Sequence, residues 1–264
     1  MSGQKLAIIG FPALALVLLI AGFIANPAAE DEPEQAEQPF NKELAAAYIH
    51  AGCWQCHSVS TLKSELVETF GEQAGGARPV GPDLAGVANR YHPQWHEAHF
   101  WQPDMIYHGS QMPAQRQLFT REAQPQLTEE GKQIVAFLMT LKAPSRINKP
   151  WPTGSHTAPE GDANRGASLY ARECTGCHGA EGKGVGPAAR FLKSVRQPPA
   201  FANGEFIFLS AGDTPRDAIY TIITNGVPTS AMPSFNERLT EQQRADIAAN
   251  VAGQAFVETG HRTG

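Results

Sequence analysis

The chain has 264 residues and a formal net charge of −5, from 21 basic and 26 acidic side chains. Five acidic residues crowd positions 30–37 without a single Lys or Arg, and the rest of the chain is balanced at 21 of each sign. Nucleic-acid binding requires a basic patch or stripe, so we expect no nucleic-acid partner.

The first predicted element is an apolar run at the N-terminus. Leu6–Ala25 carries no charge, and twenty helical residues extend about 30 Å, the thickness of a hydrocarbon core. A cleaved secretory signal is the alternative, but its apolar core usually has about 7–15 residues and a small-residue cleavage site follows it. We therefore predict a transmembrane anchor over residues 1–25. Lys5 before the run and the acidic residues after it favour a cytoplasmic N-terminus.

Two linkers and two similar units follow the anchor. Residues 26–41 are rich in Pro, Ala, Glu and Gln, and residues 143–162 contain four prolines, so both are predicted to be solvated linkers. The units are residues 42–142, called the first repeat, and residues 163–264, called the second repeat.

Each repeat is predicted to begin and end with a helix. The opening helices cover Lys42–Ala51 and Ala163–Glu173, and the closing helices cover Thr128–Lys142 and Thr240–Ala252. Apolar residues of the first closing helix recur at i, i+3, i+4 and i+7, which indicates one buried face. Thr is a suitable N-cap for both, and only the second has the Gln of a capping box. The predicted fold class is all-α, a transmembrane helix followed by two helical domains.

All four cysteines lie in two C-x-x-C-H motifs. This pattern is typical of haem c attachment, in which two thiols form thioethers and the His binds the iron. A thioredoxin-like site would need a βαβ pattern around the cysteines, and a zinc site would join the two distant pairs. Two covalently bound haem c groups are therefore predicted. The residues that would hold them are Cys53, Cys56 and His57, and Cys174, Cys177 and His178.

The sixth iron ligands are predicted from a second repeated feature. Met112 and Met232 each precede a proline and lie at nearly the same distance after their motif. This arrangement resembles class I cytochrome c, in which a Met-Pro loop supplies an axial thioether, a ligand that raises the potential relative to two His ligands. In the first repeat a His ligand stays open as an alternative. The candidates are His92, His96, His99 and His108.

The same resemblance assigns a role to two prolines. In class I cytochrome c a proline after the motif accepts a hydrogen bond from the ligating imidazole, which orients the ring. Pro187 matches that position in the second repeat. Pro82 is the counterpart in the first repeat but comes later, which implies an insertion of about sixteen residues relative to the class I spacing beside the first haem.

The first half of the chain has a narrower resemblance. The run Gly81–Tyr91, the motif context Gly52–Ser58 and the loop Ser110–Ala114 resemble the mono-haem cytochrome subunit (subunit II) of C-family, cbb-type haem–copper oxidases. The match covers residues 5–142, whereas residues 163–256 resemble a generic class I cytochrome c.

This resemblance implies a respiratory electron-transfer subunit in the bacterial inner membrane, with periplasmic haem domains. Its partners would be the membrane, a catalytic haem–copper oxidase subunit, and a soluble or membrane-bound cytochrome as electron donor. No catalytic site of its own is expected. Three alternatives stay open at this point: a free-standing anchored shuttle, a donor subunit of another membrane reductase such as a nitric oxide reductase, and a dihaem peroxidase.

Overall fold

The computed structural model describes residues 39–75, 80–142, 156–193, 196–203, 214–227 and 230–257. This part of the chain is helical, and its β pairing is limited to one isolated bridge between Phe119 and Leu127, so the all-α prediction is confirmed there. The predicted anchor lies outside these residues. Of the helices within them, none combines the length and the apolar character that crossing a membrane requires.

The α-helices of the described part are α1 (Lys42–His50), α2 (Lys63–Phe70), α3 (Val87–Arg90), α4 (Pro93–Trp101), α5 (Pro103–Ile106), α6 (Glu129–Thr140), α7 (Ala163–Glu173), α8 (Thr175–His178), α9 (Pro215–Asn225) and α10 (Glu241–Val257). The four predicted helices are present as α1, α6, α7 and α10, although α10 runs further than expected. The predicted insertion after the first motif contains α2, which buries Leu66.

Polar caps fix where the predicted helices begin. Thr128 accepts a hydrogen bond from the backbone N–H of Gly131 over 3.2 Å at the start of α6. At the start of α10, Thr240 and Gln243 exchange two hydrogen bonds, of 2.9 and 3.2 Å, and so complete the predicted capping box. A cap of this kind stabilises a helix by about 1 kcal/mol.

Each repeat closes by packing its opening helix on its closing helix, α1 on α6 and α7 on α10. The α7–α10 contact requires glycine at position 166, because a Cβ there would lie 2.0 Å from the carbonyl oxygen of Asp246. Beside it, Arg165 donates two hydrogen bonds, of 2.8 and 3.0 Å, to the Asp246 carboxylate, which is 3% exposed. These bonds lower the pKa of Asp246 to about 2.

The two repeats pack against each other within one compact unit, Pro39–Gly264. Four buried side chains of the second repeat belong to the same apolar cluster as the first-repeat core; they are Ala188, Phe191, Leu192 and Ala231. Helix α5 packs on α8, so the first repeat lies directly against the second C-x-x-C-H motif. A Cβ on Gly176 would lie 2.1 Å from the carbonyl oxygen of Met105.

Candidate haem-binding sites

The first motif follows α1 as a 3-10 turn over Cys53–Gln55. Its imidazole is held by the backbone, because His57 Nδ1 donates to the carbonyl oxygen of Pro82 over 2.9 Å. A carbonyl oxygen only accepts, so the proton lies on Nδ1 and the lone pair of Nε2 is free to bind a metal. Gly81 allows this approach, since a Cβ there would lie 2.6 Å from His57 Cε1.

The loop that carries Pro82 is itself fixed by a carboxylate. Asp83 accepts hydrogen bonds from Ser58 Oγ over 2.6 Å and from the backbone N–H of Ala85 over 2.7 Å. Burial alone would raise the pKa of Asp83, but these bonds and those from Ser60 outweigh it and hold the pKa below its usual value. The ionised Asp83 carboxylate therefore connects Ser58, which follows His57, to the loop that follows Pro82.

The second motif and its predicted methionine meet at one place. Cys174, Cys177, His178 and Met232 all line a single, largely apolar cavity. In the first repeat, Cys53 and Met112 are half-buried, and both pack against the apolar core of that repeat. The structure thus brings Cys174, Cys177, His178 and Met232 together, whereas Pro187 does not line this cavity.

Two tyrosines make equivalent hydrogen bonds in the two repeats, and the sequence analysis predicted neither of them. The hydroxyl of Tyr48 donates to the carbonyl oxygen of His57 over 2.9 Å, and that of Tyr170 donates to the carbonyl oxygen of Gly179 over 2.7 Å. These bonds tie each opening helix to the end of its motif. The tyrosines stand at nearly the same distance before their motifs, which is the signal that could have identified them.

The methionine loops share a serine contact. The backbone N–H of Met112 donates to Ser110 Oγ over 3.3 Å, and that of Met232 donates to Ser230 Oγ over 3.0 Å. A serine two residues before each methionine therefore gives the two loops the same local turn, and this repeated Ser-x-Met-Pro pattern is visible in the sequence.

The cysteines lack the features of a redox or zinc site. Burial raises the pKa of Cys53 and of Cys177 to about 11, and the pKa of Cys174 is raised further. Reactive redox cysteines have lowered pKa values instead. Within the part of the chain that the structure describes, the four cysteines form neither a disulfide nor a shared cluster of metal ligands. A cysteine pair beside a backbone-held imidazole in the first repeat, and a cysteine pair lining an apolar cavity in the second, fit haem c attachment.

The expected contact of Pro187 is not formed. His178 Nδ1 is buried and has no hydrogen-bond partner among the described residues. Its ring lies against Phe201 instead, with ring centroids 5.5 Å apart. Burial also lowers the pKa of His178 to about 4, so the imidazole is neutral, the form that binds a metal.

The alternative histidines of the first repeat occupy different surroundings. His92 caps α4 by accepting from the backbone N–H of Gln94. His108 Nε2 lies 3.3 Å from Thr175 Oγ1, so it contacts the second motif rather than the first. His96 is buried and His99 is half-buried. Desolvation lowers the pKa of His96 to about 3 and that of His99 to about 4, and His57 and Arg238 lower the pKa of His99 further.

The fold and the motifs define the class of this protein: it is built of cytochrome c domains, which bind haem c covalently and transfer electrons. Family models assign it to a narrower group within this class. The family model described as cytochrome c oxidase, mono-haem subunit/FixO, matches residues 13–149, more than half of the chain, and the chain belongs to this family. The model described as cytochrome c oxidase, cbb3-type, subunit III matches residues 161–250. Both halves of the predicted layout are confirmed.

Individual relatives are more distant. Cytochrome c6 of Gloeothece citriformis is 36% identical over 96 residues, which is 36% of this chain and 74% of that protein. Cytochrome c6 of Rippkaea orientalis is 34% identical over 95 residues, 36% of this chain and 73% of that protein. Among solved structures, a chain of the Kuenenia stuttgartiensis reducing HAO-like protein complex gives a TM-score of 0.31 at 19% identity, with 81% of this chain and 96% of that chain covered.

Proposed function

We propose that this chain is a membrane-anchored dihaem cytochrome c that passes electrons to the catalytic subunit of a cbb3-type haem–copper oxidase. One observation carries the proposal: two different cytochrome models of the same oxidase match consecutive halves of one chain, and each match contains its own C-x-x-C-H motif. The packing of α5 on α8 supports a joint role for the two repeats, because separate carriers would not need a shared core.

In this proposal each repeat holds one haem c, which supplies reversible one-electron chemistry at iron. The thioethers would form at Cys53 and Cys56 and at Cys174 and Cys177. The residues that would bind the irons are His57 with Met112, and His178 with Met232. Pro82 orients the first imidazole, and Pro187 belongs to the corresponding loop beside the second. The protein itself holds the groups, orients the imidazoles and excludes water from the cavity.

The proposed location is the bacterial inner membrane, with a cytoplasmic N-terminus and both haem domains in the periplasm. Its support is the uncharged run Leu6–Ala25, with Lys5 before it and acidic residues after it. The electron donor would be a soluble or membrane-bound cytochrome. The alternative of a free shuttle differs in one property, since a shuttle has no permanent catalytic partner.

The haem load tests the core of the proposal. A pyridine haemochrome assay on the denatured chain is expected to return two haems per chain, because thioethers survive unfolding. Replacing both Cys174 and Cys177 with Ala should remove one haem and leave the other, and the double replacement of Cys53 and Cys56 is the matched control for the first site. A single haem in the unmutated chain would contradict the two-site claim.

A further inference from the structure

The cavity beside the second motif has walls that the second repeat does not supply. Most of its lining comes from the second repeat, including His178 and Met232, but Trp95 and Ile106 belong to the first repeat. Trp95 lies on α4 and is 9% exposed, and Ile106 ends α5, the helix that packs on α8. The first repeat therefore supplies part of the wall of this cavity.

Trp95 also lies in a column of stacked rings within the first repeat. Its indole stacks on Tyr91 with ring centroids 3.9 Å apart and on His99 with centroids 4.6 Å apart, both at an interplanar angle of 18°. The side chain of Trp95 thus borders the second cavity while it packs against two rings of the first repeat.

A buried ion pair holds the first repeat at the edge of the same cavity. Glu173 is 1% exposed and pairs with Arg238 at 2.5 Å and with Arg172 at 2.7 Å. The guanidinium of Arg238 lies 4.1 Å from the ring centroid of Tyr107, a first-repeat residue. Glu173 and Arg238 both line the cavity. Arg238 therefore forms part of the cavity wall and also contacts the first repeat.

We propose that Trp95 is a binding-pocket residue of the second haem site that the first repeat contributes, and that its apolar cover raises the redox potential of the second haem. This inference rests on the proposed function, namely that the second repeat binds haem c. Solvent exposure is one of the levers on haem potential. Water stabilises the more highly charged ferric form, so removing an apolar cover lowers the potential.

The test is an equilibrium redox titration of the full haem-loaded chain in detergent, followed by visible absorption. In Trp95→Leu we expect the midpoint of the second haem to move to a lower potential. Trp95→Phe keeps an aromatic cover and should stay close to the unmutated value. The chain with Cys174→Ala and Cys177→Ala contains only the first haem, and it identifies which component of the titration belongs to the second.

Trp101→Leu is the matched control. Trp101 lies on the same helix and contacts Phe191 of the second repeat, with ring centroids 5.9 Å apart, but it does not line the cavity. We expect it to leave the second midpoint unchanged. An unchanged midpoint in Trp95→Leu, or an equal shift in Trp101→Leu, would overturn the inference. Loss of only the second haem in Trp95→Leu, with two haems retained in Trp101→Leu, would support it. One haem in the unmutated chain would instead refute the proposed function.

Discussion

Replacing Gly176 with Ala would place a methyl group in the contact between the two repeats. Gly176 is buried within the second C-x-x-C-H motif, and its Cβ would lie 2.1 Å from the carbonyl oxygen of Met105 and 3.4 Å from Ile106 Cα. A relaxed carbon–oxygen contact is about 3.3–3.6 Å, so α5 must move away by more than about 1 Å. Overpacking of this kind costs about 1–3 kcal/mol, and we expect Gly176→Ala to lose that much stability.

The assay is thermal unfolding of the haem-loaded chain, followed by far-ultraviolet circular dichroism. A loss of 1 kcal/mol lowers the midpoint by about 2–4 °C for a chain of this size. Gln55→Ala is the control, because Gln55 holds the same motif position in the first repeat and is exposed; we expect a change within about 0.5 kcal/mol. An unchanged midpoint in Gly176→Ala, or equal losses in both variants, would refute the claim that α5 docks on the second motif.

Three further predictions concern the second repeat. Gly166→Ala should destabilise it by about 1–3 kcal/mol in chemical unfolding, because the new Cβ would lie 2.0 Å from the Asp246 carbonyl oxygen; an unchanged midpoint would contradict this α7–α10 contact. Asp246→Asn should cost about 2 kcal/mol at pH 7, because Arg165 lowers the pKa of Asp246 to about 2. A lowered carboxyl pKa stabilises the folded state at pH values above the unfolded-state pKa of about 3.9. The difference in stability between Asp246→Asn and the unmutated chain should therefore shrink as the pH falls from 4 toward 2. A difference that stays constant over this range would contradict the prediction. Met232→His should lower the potential of the second haem in a redox titration, since imidazole replaces the thioether. An unchanged potential would show that Met232 is not a ligand. Met112→His is the matched variant for the first haem.

Local spacing predicted much of the fold and of the sites. The two C-x-x-C-H motifs, the Met-Pro loops and the Thr caps are each defined within a few residues, so one sequence suffices to find them. The contact between His57 and Pro82 was predicted from the resemblance to class I cytochrome c, in which a proline after the motif accepts this hydrogen bond. These features depend on short-range geometry and on residue types with few alternative uses.

The docking of the two repeats could not be predicted. Helix α4 has no simple apolar stripe, because consecutive residues Gln94, Trp95 and His96 are all buried. Its sequence therefore lacks the period of a helix with one exposed face. Gly176 likewise reads as an ordinary small residue inside a motif, and only the position of Met105 in the structure shows why it is small.

Purification of the chain from native membranes in mild detergent, through an affinity tag on the chain itself, tests whether it is an oxidase subunit. We expect a copper-containing catalytic oxidase subunit to copurify in equimolar amount, and the purified complex to consume oxygen when a reduced cytochrome is supplied. A chain that elutes without any haem–copper subunit, while still carrying its haems, would contradict the proposed function and would indicate a free-standing electron shuttle.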